Sequence, residues 1–209
     1  MWTPTTPGTN YPAIRHELLA VSQTEFHAEA EKLERKGSWD VLHFFERGRK
    51  NEQNSALCPV TVDVIEQHAT VTTLAGLAYA SKMASGTHVA AHCGPTNLRL
   101  RCHMGIQVPV GDCALRVGSE VRGWEQGKCI VFDDSLEHEA WNHTDGTRLV
   151  LIVDVWHPDL FAGEIALLEG LHRYSEIMAD SLARYWLAND RARIRQRVKS
   201  YLNENATDS

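Results

Sequence analysis

LRLRCHMGIQVPV, residues 98–110, alternates apolar and polar side chains from Leu98 to Met104. A repeat of two sets Arg99, Arg101 and His103 on one face of a half-buried strand and the apolar residues on the other. On both sides of this stretch lie short β-branched or aromatic runs punctuated by glycine. CALRVGSEVRGWEQGKCIVFDD, residues 113–134, holds several of them between Gly111, Gly118, Gly123 and Gly127. LEHEAWNHTDGTRLVLIVDVWHP, residues 136–158, reads as two strands around an Asp145–Gly146 turn. Many short strands at regular spacing predict a β-sandwich or barrel of jelly-roll type from Ala78 to His157.

The flanks have a different texture. Residues 10–37 space Ile14, Leu18, Leu19 and Val21 at helical intervals, from Pro12 in a first turn to a stop at Gly37. Residues 38–58 predict an irregular segment or short strands, and 60–77 a weakly marked helix. After Pro158 an apolar stripe through Ile165, Leu168, Leu171, Ile177, Met178, Leu182 and Tyr185 predicts helix again. The alternating Arg and Lys of 191–199 would then be spread over a solvated helix face. The expected organisation is one domain over 1–160 followed by a helical extension over 161–209.

Composition narrows the function classes. The 209 residues suffice for one domain with a sizeable core. Lys and Arg total 21 against 27 Asp and Glu, a net charge of −6, which argues against a nucleic-acid binder. The N-terminus MWTPTTPG has no basic and apolar leader, and no run approaches 18 apolar residues. The five cysteines, Cys58, Cys93, Cys102, Cys113 and Cys129, are odd in number and lack metal-ligand spacing. A cytoplasmic protein with reduced thiols and no membrane contact is expected; the oligomeric state is left open.

Histidine is the excess. Six of the eleven, His88, His92, His103, His138, His143 and His157, fall in residues 88–157. Two histidines on neighbouring strands with coordination positions to spare suit iron(II) oxygen chemistry. Arg148 follows His138 by ten residues and opens a strongly apolar strand. A guanidinium pointing into a barrel needs a carboxylate, and one that arrives with a ligand serves best.

HVAAHCGPTNLRLRCHMG (88–105) and GWEQGKCIVFDDSLEHEAWNHTDGTRLVLIVDVWHPDL (123–160) resemble the aspartyl/asparaginyl β-hydroxylases, iron(II)/2-oxoglutarate oxygenases. Gly94-Pro95-Thr96-Asn97, Phe132-Asp133-Asp134-Ser135 before Glu137-His138-Glu139, and Asp154-Val155-Trp156-His157-Pro158 occur in family order. NYPAIRHELLAV (10–21) and the segment from Gly37-Ser38-Trp39 to Gly48-Arg49 extend the resemblance to about Asn10–Leu160. It implies a mainly β fold with flanking helices, a double-stranded β-helix of jelly-roll, cupin-like form. It also implies iron on His92 and His138 with no carboxylate ligand, since Gly94 stands where a His-x-Asp motif has its Asp. 2-Oxoglutarate is implied at Trp39, Ser81, Arg101, His103 and Arg148, with Arg148 and Ser81 on the far carboxylate. Arg99 is the candidate grip for a substrate carboxylate. The implied reaction couples O2 and decarboxylation of 2-oxoglutarate to succinate with hydroxylation of an unactivated C–H, Cβ by the family's name. The substrate would be a small molecule or peptide: an amino acid, a carrier-tethered amino acid or a peptide residue. Val41 stands where the larger enzymes lead us to expect a polar residue on the substrate side.

Two alternatives remain at this level. A 2-oxoglutarate-dependent halogenase also lacks the carboxylate, to admit halide. A non-catalytic cupin-like binding module would keep the fold alone. Of the other histidines, His157 is expected to order the turn into Pro158, and His16, His27, His43, His68 and His172 to lie at the surface. Trp124, Trp141 and Trp156 are read as packing residues.

Overall fold

A computed structural model describes residues 10–29, 33–68 and 76–175, with 177, 178 and 181. Up to residue 160 the described residues form these elements: α1 (Tyr11–Val21), β1 (His27–Ala28), β2 (Glu34–Lys36), β3 (Trp39–Glu46), β4 (Arg49–Lys50), α2 (Glu52–Leu57), α3 (Pro59–His68), β5 (Leu77–Met83), β6 (Thr87–His92), β7 (Arg99–Gln107), β8 (Cys113–Val117), β9 (Glu120–Gly123), β10 (Cys129–Phe132), β11 (His138–Asn142) and β12 (Arg148–Trp156). The strands form a seven-stranded sheet, β1-β3-β5-β12-β7-β10 with β4 beside β3, and a five-stranded sheet, β2-β6-β11-β8-β9. All the ladders joining these strands are antiparallel. The expected mainly β jelly roll with flanking helices is the observed fold.

The large sheet is covered on both faces, which explains the run LVLIV in β12. Leu149 and Leu151 face outward with Leu42, Phe44, Ala78 and Ala80, packing against Ile14, Leu18, Val62 and Ile65 of the helices. Val150 and Ile152 face the opposite way with Trp39, Val41, Tyr79 and Met83, against Val89, Leu115 and Val117 of the smaller sheet. The space between the sheets is the interior that holds the site.

β7 shows why alternation alone left the buried side open. Arg99, Arg101 and His103 are the buried set, at 2, 8 and 6% exposure, while Leu100, Cys102 and Met104 are only half-buried. The polar face is the inner one, because the barrel interior supplies carboxylates for these cations.

Several local expectations fail on tertiary grounds. The first helix ends at Val21 rather than Gly37: the Ser22 hydroxyl bonds the Leu19 carbonyl at 2.9 Å, and β1 and β2 are drawn into the two sheets. Gly37 is instead a close approach with φ +84°, where a Cβ would lie 2.3 Å from the Thr87 hydroxyl oxygen. Residues 39–46 form a full strand between β1 and β5. Of the helix expected over 60–77 the described part, to His68, is helical, residues 69–75 lie outside the described residues, and Leu77 opens β5. β11 and β12 do not make a hairpin; they belong to different sheets, and Asp145–Gly146 lies on the crossing between them. His172 is buried rather than at the surface, whereas Leu171, Ile177 and Met178 of the predicted stripe are exposed.

The chain forms two compact units, Met1–Ala162 and Gly163–Ser209. Residues 162–175 are helical. Leu182, Tyr185 and the Arg/Lys segment of 191–199 lie outside the described residues. No helix among the described residues is long and apolar enough to cross a membrane.

Candidate active site

The smaller sheet brings His92 and His138 together. They end β6 and begin β11 and are directly paired across the ladder, with ring centroids 4.2 Å apart. Each ring is fixed through Nδ1 to the backbone carbonyl two residues back: His92 to Ala90 at 2.7 Å, His138 to Leu136 at 2.9 Å. With Nδ1 donating, both Nε2 lone pairs are left for a metal, the orienting arrangement that ligating histidines use. Burial is the first cause lowering the His138 pKa to about 4; the Leu136 carbonyl opposes it, and His92, Arg101 and Arg99 add to it. A neutral ring is the form a metal needs. Among the described residues no set of three or more His, Cys, Asp or Glu side chains is arranged to hold a metal.

Gly94 shows what replaces the missing His-x-Asp carboxylate. Its amide donates to the Asp134 carbonyl at 2.6 Å, joining the segment after His92 to the one before His138. A Cβ on Gly94 would lie 2.5 Å from Asp134 Oδ2. A carboxylate therefore fills the space beside residue 94, but it comes from Asp134.

Asp134 and Asp154, both at 0% exposure, neutralise two of the interior guanidiniums. Asp134 Oδ2 lies 3.2 Å from Arg99 Nη2 and 3.1 Å from Arg101 Nη1. Asp154 accepts from Arg101 Nε at 3.0 Å and Nη2 at 3.3 Å, and also pairs with Arg99. Burial opposes the charge on Arg101, but Asp154, Tyr79 and Asp134 outweigh it and hold the proton more firmly than usual. Asp154 is shifted upward by burial in spite of both arginines. Arg99 and Arg101 thus stand in the interior between the sheets, each already paired with both internal carboxylates. A substrate or co-substrate carboxylate has to share or displace them.

Arg148 is the exception. It is 2% exposed, and no carboxylate among the described residues pairs with it. Its Nη2 donates to Ser81 Oγ at 3.1 Å, its Nε has no partner, and Cζ lies 4.8 Å over the Trp124 ring. Burial is the main reason its pKa drops to about 10. Trp39 Nε1 donates to the same Ser81 oxygen at 2.9 Å. Ser81 therefore accepts twice, and its own O–H is left to donate to a further group. His103 is similar: Nδ1 accepts from Trp124 Nε1 at 3.3 Å, while buried Nε2 has no partner. Burial, followed by Arg101, Arg148 and His138, holds its pKa well below the ordinary value. Phe132 lies edge-on between His103, at 5.0 Å, and His138, at 5.4 Å.

All eight residues singled out in the sequence line this interior or its rim. Missed were Asp134, Asp154 and Trp124. Asp154 shares the inner face of β12 with Arg148, so period two could have found it; Asp134 and Trp124 depend on loops with no such signal. His88 and His143 are on surface carboxylates instead, Glu139 at 2.9 Å and Asp112 at 2.8 Å. His157 Nδ1 accepts from the Asp159 amide at 3.2 Å, ordering the turn at Pro158 as expected. His43, expected at the surface, is half-buried against Tyr79, with ring centroids 5.0 Å apart.

A sequence model of the family described as aspartyl/asparaginyl beta-hydroxylase matches residues 8–158. The chain belongs to the aspartyl/asparaginyl β-hydroxylase family. It is 41% identical over 172 residues to the aspartyl/asparaginyl beta-hydroxylase of Mus musculus, covering 76% of this chain and 23% of that protein. It is 38% identical over 159 residues to the ornithine lipid ester-linked acyl 2-hydroxylase of Rhizobium tropici, covering 71% of this chain and 55% of that one. The chain thus spans under a quarter of the first of these relatives and just over half of the second. Among solved structures, a prolyl hydroxylase from Trichoplax adhaerens in complex with a hypoxia inducible factor peptide fragment shares the fold. Its TM-score is 0.51 at 11% identity, with 74% of this chain and 83% of that one covered.

Proposed function

We propose that this β-hydroxylase-family chain is an iron(II)- and 2-oxoglutarate-dependent dioxygenase that hydroxylates an unactivated C–H, Cβ by analogy with the family name. The substrate class we favour is an amino acid, free, carrier-tethered or within a peptide, that carries a carboxylate. The observation that carries the reading is the buried Arg148 guanidinium, which no carboxylate among the described residues pairs with, placed with the Ser81 hydroxyl and Trp39 in the same interior as the His92–His138 pair.

The donor set fits both iron(II) and 2-oxoglutarate. His92 and His138 would hold iron(II) through Nε2. When bound, the iron with 2-oxoglutarate and O2 supplies the oxidising chemistry, and 2-oxoglutarate leaves as succinate and carbon dioxide. The chain's own tasks are positioning and exclusion of water. Arg148 and Ser81 offer N–H and O–H donors to one carboxylate of a dianion, and His103 offers its Nε2–H to an oxygen at the other end. Three guanidiniums against two carboxylates give the interior an excess positive charge, which favours an anionic ligand. Arg101 was expected on 2-oxoglutarate and Arg99 on substrate; both would act after loosening from Asp134 and Asp154.

Asp134 also supports hydroxylation over halogenation. The space beside Gly94, where the His-x-Asp carboxylate would stand, is already filled by the Asp134 carboxylate, which leaves no room there for a halide. The unpartnered donors of Arg148 and His103 call for a bound ligand, since such groups are costly without one, and succinate release separates an enzyme from a module that only binds. The names of the relatives span an amino-acid residue and a lipid acyl chain, so the substrate is best found by screening. Anaerobic iron(II) with 2-oxoglutarate should give a weak visible charge-transfer band, and aerobic succinate release should depend on an amino acid or peptide and vanish in His138→Ala. No band together with no succinate across the screen refutes the reading.

A further inference from the structure

We propose that Trp124 is a positioning residue for the co-substrate site, because its indole fixes the proton of His103 on Nε2 and supports the Arg148 guanidinium from below. The inference rests on the functional reading above and extends it to a residue outside the ligand-binding set.

An indole N–H can only donate. Since Trp124 Nε1 donates to His103 Nδ1 at 3.3 Å, that nitrogen carries a lone pair and the ring proton sits on Nε2. Nε2 is buried and has no hydrogen-bond partner among the described residues. The rings are nearly parallel, 14° apart with centroids at 6.1 Å, which restrains rotation of the imidazole. Trp124 also presents its face to Arg148, with Cζ at 4.8 Å. One side chain, itself 5% exposed, therefore touches both groups that offer unpaired donors to a dianion.

The loop carrying Trp124 is clamped to β7 close to His103. The Gly105 amide donates to the Lys128 carbonyl at 3.0 Å, and the Gly127 amide to the Gly105 carbonyl at 2.8 Å. A Cβ on Gly105 would lie 2.3 Å from the Glu125 carbonyl oxygen, so only glycine permits this approach. The sequence GWEQGK thus holds an indole in register with a histidine two residues from its anchor.

Trp124→Phe keeps the aromatic face and removes the N–H. The test combines nitrogen-15 spectra of histidine in the metal-free protein, with His103 assigned by difference from His103→Gln, and calorimetric titration of 2-oxoglutarate with anaerobic iron(II). In the wild type, His103 should be protonated on Nε2. In Trp124→Phe the ring should populate both tautomers, and 2-oxoglutarate should bind roughly tenfold more weakly, as expected when one oriented hydrogen bond to a charged group is compromised. A purely structural role would leave the tautomer unchanged. A wild-type His103 protonated on Nδ1 overturns the proposal even if the variant does not fold. So does a Trp124→Phe protein that keeps the Nε2–H tautomer and wild-type affinity. Absence of 2-oxoglutarate binding to the wild type overturns the functional reading instead, whatever the tautomer.

Discussion

Replacing Arg148 by methionine should raise or preserve stability while destroying affinity for 2-oxoglutarate. Burial brings the guanidinium pKa from 12.5 to about 10. At about 1.4 kcal/mol per tenfold change in proton affinity, keeping it charged costs roughly 3 kcal/mol in the empty protein. Against this stand its hydrogen bond to Ser81, about 1 kcal/mol, and its contact with the Trp124 face, about 1–2 kcal/mol when desolvated. Methionine retains most of the apolar stem. The metal-free variant should therefore be unchanged or stabilised by up to about 1 kcal/mol, a rise of no more than roughly 4 °C in Tm. With co-substrate the sign reverses. Removing the partner of a buried carboxylate costs about 2–5 kcal/mol, so 2-oxoglutarate should bind about 30-fold to several thousand-fold more weakly. Denaturant unfolding of the metal-free protein and anaerobic titration of 2-oxoglutarate measure the two arms. A destabilisation above about 2 kcal/mol would show that Arg148 is satisfied inside the protein. Affinity within threefold of wild type would show that the far carboxylate binds elsewhere. Either result refutes the reasoning.

Gly94→Ala should force the Asp134 carboxylate off Arg99 and Arg101 and destabilise the fold by about 3 kcal/mol, the scale for breaking a buried ion pair; a loss below about 1 kcal/mol in urea unfolding would mean the loop simply yields. Gly118→Ala, with φ +56° but open space around it, should cost about 1 kcal/mol. His103 is held neutral, with a folded pKa below its unfolded value near 6.5. Its stabilising contribution is thus present above about pH 6.5 and lost as pH falls below it. Metal-free wild type should accordingly lose Tm between about pH 7 and 5 more steeply than His103→Gln; parallel profiles would contradict the assignment. His92→Ala should retain the fold yet lose iron(II)-dependent succinate release, as should His138→Ala, and turnover surviving either change would displace the metal site.

The sequence made some of this legible because period two is a local property. Arg99, Arg101 and His103 had to share a face whatever they packed against, and short glycine-punctuated strands had to close into a β architecture. The family resemblance named His92, His138, Ser81 and Arg148 from their neighbours. Other features are products of register. The 10–37 segment has helical spacing, yet strands β1 and β2 are taken from it by the edges of two sheets. Asp145–Gly146 looks like a hairpin turn, yet β11 and β12 each find better partners in opposite sheets.

Charge pairing is the sharpest division between the two levels. From sequence alone, Arg148 and Arg101 are each assigned to 2-oxoglutarate and Arg99 to a substrate carboxylate, with no internal partner in view. In the fold, Asp154 lies directly across from Arg101, and Asp134 reaches both Arg99 and Arg101. Only Arg148 is left with a positive charge that no carboxylate of the described residues meets. The sequence determined the strand faces, the chemical types and the family. Tertiary structure decided which cation is satisfied and which awaits a ligand, because ion pairing in a low-dielectric interior depends on a few ångströms of separation between strands far apart in the chain.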